Sequence, residues 1–241
     1  GDDFMMANNA QWVGFSLEIG PDGGLYALDW HDADICGQEV LHSETGRIFR
    51  MSYTENLAKD FKGRYEDLDK LSDQELVEFQ TIKSDWHARR ARGILQKRKA
   101  QGSLQGSTVD ALKEIFQNNI NADHRLRAMW SLHLTEGFSE KELIQNLEDR
   151  DQHVRAWAIQ LLCEDLDPSE EALSRFVMMA KEDQSPVVRL YLAAALPRIS
   201  NSKKWDIAIN LLQHEEDSID HNLPKMIWYG IEPLMAENSS D

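Results

Sequence analysis

From Leu71 onward the apolar residues recur with a period near 3.6 and keep it almost to the end of the chain, which commits most of the molecule to amphipathic helices. Three segments share an apolar spacing of i, i+4, i+7 and i+8: Leu126, Trp130, His133 and Leu134; Val154, Ala158, Leu161 and Leu162; Val188, Leu192, Ala195 and Leu196. Each set predicts one buried helix face. Leu126-Arg127, Val154-Arg155 and Val188-Arg189 are apolar–Arg pairs, with Asn121, Asp149 and Asp183 each five residues before the apolar member. The Arg residues recur at intervals of 28 and 34, a range in which self-similarity signals stacked structural repeats. Arg127, Arg155 and Arg189, with the acids Asp149 and Asp183, are therefore expected to form a structural ladder in which each Arg pairs with the preceding acid or with a neighbouring repeat.

Partner helices lie between these segments, with apolar faces at Leu143, Ile144 and Leu147, at Leu173, Phe176, Val177 and Ala180, and at Trp205, Ala208, Ile209 and Leu212. The first two pair with the helices that follow them and the third with a final helix carrying Ile227, Trp228, Ile231 and Leu234. Less regular pairs run from Leu76 to Leu95 and from Leu112 into the helix at Leu126. Roughly five helix pairs result, and stacking them is what removes both apolar faces of each pair from water. Ser139 with Glu142 has capping-box spacing, and Asp167 with Glu170 has the same spacing around Pro168, read as a first helical position. Gly102 and Gly137 suit helix ends.

Before residue 54 the pattern is that of strands. Trp12 to Ile19 is rich in aromatic and branched residues, Gly20-Pro21-Asp22-Gly23-Gly24 is a tight turn, and Leu25 to Trp30 gives a second strand. After an acidic loop, Gly46 to Tyr53 supplies a third, with Ile48 and Phe49 as its apolar centre. A sheet this small needs a cover, from the helices or from further chain. The expected organisation is a β unit over 1–53, a linker over 54–70 and a helical array over 71–238. The opening Gly-Asp-Asp-Phe lacks an initiator Met, so the segment reads as part of a longer chain.

Charge and cysteine content narrow the function classes. With 42 acidic against 26 basic side chains the formal charge is −16, which argues against nucleic acid or anionic lipid as partner. The one basic run, Arg89 to Lys99, falls on a single helix and reads as a solvated face. Cys36 and Cys163 lie in different segments without CxxC or CxxCH spacing, so they define no disulfide framework, zinc site or haem attachment. No apolar run is long enough for a membrane span, so no direct membrane insertion is expected. Nor does any Ser, Cys or His sit in a nucleophile elbow or a phosphate-cradling glycine loop.

Gly20-Pro-Asp-Gly-Gly-Leu-Tyr-Ala-Leu-Asp-Trp30 followed by Thr45-Gly-Arg-Ile-Phe-Arg50 resembles the last blade of the β-propeller in glucose/sorbosone dehydrogenase-like proteins. In the large membrane-bound dehydrogenases of bacteria that propeller is followed by HEAT repeats and often by a c-type cytochrome domain. Leu71 to Leu95, with Asp85-Trp86-His87, and Asp217 to Leu234 look like the helical region of that family. The resemblance implies a mainly α chain, a HEAT/armadillo-like α-α superhelix preceded by a blade-like antiparallel β unit. It also implies an exported, periplasmic parent oxidising a sugar or polyol, with pyrroloquinoline quinone, calcium or haem as parent cofactors and none in this segment. Most of the propeller and any CxxCH are missing here, so the expected function is a non-catalytic scaffold or protein-interaction region, with part of a quinone-dependent sugar or polyol dehydrogenase whose site the β unit lines, and a stand-alone helical binding module, as the alternatives. Its partner would be the rest of the parent chain, an electron-acceptor domain, or a second copy through an exposed β edge.

Asp29, His31, Asp32 and Asp34 gather carboxylates and an imidazole just after a strand, where a blade faces a propeller's channel; they are the candidate rim contacts, weighed against a plain acidic loop. His87, His124, His153 and His221 recur near the starts of second helices. Helix layers stand about 8–10 Å apart, too far for shared metal coordination, so helix-start hydrogen bonds are expected instead. His133 reads as a core histidine, and Trp86, Trp130, Trp157, Trp205 and Trp228 read as core.

Overall fold

The computed structural model describes residues 5–6, 12–30, 44–52, 63, 65–199 and 201–238. Among these the chain is mainly helical, with ten α-helices and one three-stranded antiparallel sheet. It divides into two compact units, 1–98 and 99–241.

In the first unit β1 (Gly14–Ile19), β2 (Leu25–Asp29) and β3 (Arg47–Met51) form a meander in chain order. The β1–β2 turn closes through the Gly23 N–H to the Gly20 carbonyl at 3.0 Å, and Gly23 takes φ 72°, which a glycine adopts without steric cost. Asp22 organises this end: it accepts from the Gly24 N–H at 3.1 Å, the Tyr26 hydroxyl at 3.2 Å and Arg50 Nε, across the sheet on β3, at 2.5 Å. Burial pushes its carboxyl up, but the Gly24 N–H and the Arg50 guanidinium outweigh that and hold it below its ordinary value. Asp29 plays the same part at the other end, accepting from the Val13 N–H at 2.9 Å and Arg47 Nε at 2.6 Å. The sheet is pinned by ion pairs more than by apolar cover: Phe15, Leu17, Ile19, Leu28 and Ile48 are all exposed. Ile48, expected at an apolar centre, is 70% exposed, while Phe49 is half buried edge-on to Trp12.

The stretch expected as linker is folded at its described end. Leu68–Lys70 forms a 3₁₀ turn capped by Asp67, with Leu68 buried. Next come α1 (Asp73–Glu78), opened by a Ser72–Glu75 capping box, and α2 (Asp85–Ala100). Arg98, read as part of a solvated face, instead donates to Asp73 Oδ1 at 2.5 Å and to the carbonyls of Leu71 and Asp69 at 2.7 and 2.9 Å. These bonds tie α2 back to the turn that starts the helical region. The division between the two compact units falls inside α2, after Arg98.

The second unit contains α3 (Gly106–Asn118), α4 (Ala122–Leu134), α5 (Glu140–Gln145), α6 (Gln152–Leu162), α7 (Glu170–Glu182), α8 (Pro186–Ala195), α9 (Asn201–Leu211) and α10 (Leu223–Asn238). Side-chain caps at Asn121, Ser139, Asp151, Ser169 and Ser185 set the starts of five of them. The Ser139–Glu142 capping box is present in full. The cap of α7 is Ser169, whose Oγ accepts from the Ala172 N–H at 3.3 Å; Asp167 and Pro168 therefore precede the cap. Gly137 is required by close approach, since a Cβ there would stand 2.7 Å from Leu132 Cδ2.

Consecutive helices pack as α3 on α4, α5 on α6, α7 on α8 and α9 on α10, while α4, α6, α8 and α10 also pack on one another in that order. On the other side α5 packs on α7 and α7 on α9. Met129, Leu132, Ile159, Phe176, Leu192, Leu196, Ile207 and Leu211 are fully buried along these contacts. Each such side chain contributes about 1.5–3 kcal/mol of transfer free energy.

Candidate functional site

The polar groups that join one helix pair to the next form a repeating unit. Arg125, Arg155 and Arg189 each make a forked, two-nitrogen contact with an aspartate 24 to 28 residues downstream: Asp149 at 3.0 and 2.5 Å, Asp183 at 2.8 and 2.9 Å, and Asp217 at 2.5 and 2.6 Å. The remaining guanidinium nitrogens of Arg155 and Arg189 donate to the carbonyls of Asp149 and Asp183, both at 2.9 Å. Arg125 instead reaches the Phe116 carbonyl at 2.8 Å. Asp149 and Asp183 each also accept the N–H of the following cap residue, Asp151 at 2.8 Å and Ser185 at 2.9 Å. Asn119 does the same for Asn121 at 2.9 Å. One aspartate thus ends a first helix, positions the next cap and receives the guanidinium of the preceding repeat.

Proximity of opposite charge shows in the proton affinities. Hydrogen bonding to the aspartates raises the pKa of Arg125, Arg155 and Arg189, against a smaller opposing effect of burial. Burial pushes the Asp149 carboxyl up, and Arg125 together with the Asp151 N–H brings it below its ordinary value.

The register differs from the sequence reading by two residues in the first repeat. Arg125, not Arg127, is the counterpart of Arg155 and Arg189, with Ala128, Ala158 and Leu192 as the matching buried positions. Aligning Leu126-Arg127 with Val154-Arg155 placed Trp130 and His133 in the core. The buried face of α4 is in fact Arg125, Leu126, Ala128, Met129, Ser131 and Leu132. Arg127 is half buried outside the ladder's forked pairs. Asn119 was the missed signal: it stands six residues before Arg125, as Asp149 and Asp183 stand before Arg155 and Arg189.

The residues released from the core form a surface. Trp130 on α4, Trp157 on α6 and Tyr191 on α8 are half buried and packed in sequence, with ring centroids 5.0 and 6.4 Å apart in edge-on and tilted geometry. One turn beyond Trp130, His133 pairs with Glu164. Beside them a cavity of 590 Å³ opens where the ends of α4 and α6 meet the starts of α5 and α7. Carboxylates of Glu136, Glu140, Asp165, Asp167 and Glu170 line it together with Phe138, Leu143, Leu161 and Leu173. Of the other tryptophans expected in the core, Trp86 and Trp205 are half buried and Trp228 is 49% exposed.

Other candidates are placed as follows. His87 is buried; its Nε2–H donates to the Gly63 carbonyl at 3.1 Å, which leaves Nδ1 to accept from the Ser84 hydroxyl at 2.7 Å. Burial lowers its pKa. The helix-start bonds at His124 and His153 are made by their backbone N–H groups to the caps Asn121 and Asp151, and His221 is exposed. The buried Cys163 thiol is pushed up to about 12 by burial, which removes its nucleophilic form near neutral pH. His31, Asp32 and Asp34 lie outside the described residues. The remaining rim candidate, Asp29, is 3% exposed and engaged by Arg47 and the Val13 N–H. The Asp29 carboxylate is thus already taken up by two donors within the sheet, and the sequence has no CxxCH spacing. No group of three or more metal-binding side chains occurs among the described residues, and no helix among them is long and apolar enough to cross a membrane. No protein-family model matches the chain, and no curated protein sequence matches it.

Proposed function

We propose that α3 to α10 are a HEAT-type repeat scaffold with no catalytic role of their own, which binds or supports other protein within a larger, exported dehydrogenase-like chain. The observation that carries this reading is the rung geometry: each guanidinium spans from one helix pair to the aspartate between the two helices of the next. Coupling each unit to its immediate neighbour in this way is the arrangement by which repeat proteins build an extended surface. In support, every second helix packs on its counterpart in the adjoining pair. The proposed link to a propeller rests on the sequence resemblance and on the sheet, whose apolar side chains on β1, β2 and β3 are exposed as they would be where further strands or a neighbouring blade cover them.

The encoding DNA on either side of this segment tests the reading. Further blade-like GPDG segments upstream would support a scaffold attached to a propeller. A reading frame of about this length would contradict the dehydrogenase parent and leave a small helical adaptor.

A further inference from the structure

The aromatic row and the acid-rimmed cavity are continuous. His133 stands one turn after Trp130 on α4, and Leu161 one turn after Trp157 on α6; both line the cavity. We propose that this surface binds an extended basic peptide segment, seating one lysine or arginine side chain in the cavity and laying apolar side chains along Trp130, Trp157 and Tyr191. The proposal rests on the reading of these helices as a protein-binding scaffold and names the chemistry of the partner.

Three features select that occupant. First, five carboxylates border the cavity and no lysine or arginine is among its described lining residues; Glu136 is paired from outside the lining by Lys99 at 3.0 Å, which leaves Glu140, Asp165, Asp167 and Glu170 as the acids offered to a partner. Second, Phe138 and Leu161 give it an apolar side, which suits the aliphatic stem of a long cationic side chain whose head stays with the carboxylates. Third, half-exposed indole and phenol rings offer flat apolar area and attract cations to their faces. The chain's formal charge of −16 adds long-range attraction for a basic partner and repels an acidic one. Spacing points to an extended segment: the ring centroids of Trp130, Trp157 and Tyr191 stand 5.0 and 6.4 Å apart, near the roughly 7 Å between alternate side chains of an extended chain.

Fluorescence anisotropy at about 0.15 M salt, where exposed charges beyond about 8 Å are screened, tests this on the full chain. The probes are labelled short peptides repeating Arg-Leu-Pro, with matched peptides carrying Gln or Glu in place of Arg. Saturable binding of the Arg peptide alone is expected. The triple variant Asp165→Asn, Asp167→Asn, Glu170→Gln should weaken it about ten-fold or more, equivalent to about 1.4 kcal/mol. A charge-matched control, Asp110→Asn, Glu114→Gln, Asp206→Asn, should change it less than about two-fold. Trp157→Leu, with its fold checked by circular dichroism, should also weaken binding; Tyr191→Ala replaces it if that variant is unfolded. Equal weakening by the two triple variants would mean diffuse charge attraction and overturn the site. Equal binding of the Gln peptide, or no saturable binding, would overturn it as well. Either failure, with propeller blades found upstream, removes this site and leaves the scaffold reading intact; binding with a short reading frame keeps the site and removes only the dehydrogenase parent.

Discussion

Arg189 lies with its side chain 3% exposed among the Asp217 carboxylate, the Asp183 carbonyl and, at 3.3 Å, the Glu216 carboxylate, so its charge is solvated almost entirely by protein. Replacing it with Met leaves Asp217 buried and uncompensated. The expected loss is about 3–5 kcal/mol, read from the urea midpoint, and the double variant Arg189→Met, Asp217→Leu should recover most of it, because two well-packed apolar groups carry no desolvation penalty. Glu142 gives a pH signature. Its hydrogen bond from Lys113 at 2.6 Å, followed by the Ser139 N–H, lowers its carboxyl from 4.5 to about 2. A carboxyl depressed on folding adds stability that is fully present above its unfolded value and is lost as pH falls through the folded one. Stability should therefore decline between about pH 5 and pH 2, and Glu142→Gln should lose less over that window when urea midpoints are followed against pH. Arg155, Arg189, Asp149 and Asp183 were legible from sequence because their spacing of six residues repeats. Arg125 was not, because its rung begins with Asn119, which makes the same cap contact without the charge that marks the motif.

At the scale of elements, helix positions followed from apolar period and caps, and the Ser139–Glu142 box marked a start correctly because its two hydrogen bonds are local. Asp167–Glu170 has the same spacing and failed, since Ser169 competes for the cap two residues later and wins. The strands were found by their turn, but their burial was not legible: alternation signals a covered face only where a cover exists, and Ile48 is exposed. Close packing of α10 on the end of α8 rests on Gly230, where a Cβ would meet Leu196 Cβ at 2.5 Å. Gly230→Ala raises helix propensity yet forces α10 away from the end of α8. A net destabilisation of about 1–3 kcal/mol is expected from the overpacking, measured as a lower melting temperature. A variant at least as stable as the parent would show that this contact relaxes freely.

For the whole molecule, the sequence conveyed a mainly helical chain with an N-terminal β unit, because both are written in local periodicity. It did not convey that Arg98 reaches back to Asp73 and Leu71, because those bonds join residues 25 and 27 apart in sequence. Surface chemistry was hidden for a different reason: the two-residue register error on α4 placed Trp130 in the core, and with it the row it begins. The central proposal, that α3 to α10 are a repeat scaffold whose forked Arg–Asp rungs couple each helix pair to the next, is tested most directly by native-state hydrogen exchange on Arg155→Met. Its rung joins the α5–α6 pair to α7–α8 through Asp183 at 2.8 and 2.9 Å. In a nearest-neighbour array the loss of amide protection should concentrate in those four helices and leave α3, α4, α9 and α10 largely protected; an equal loss across α3 to α10, or none, would contradict the account.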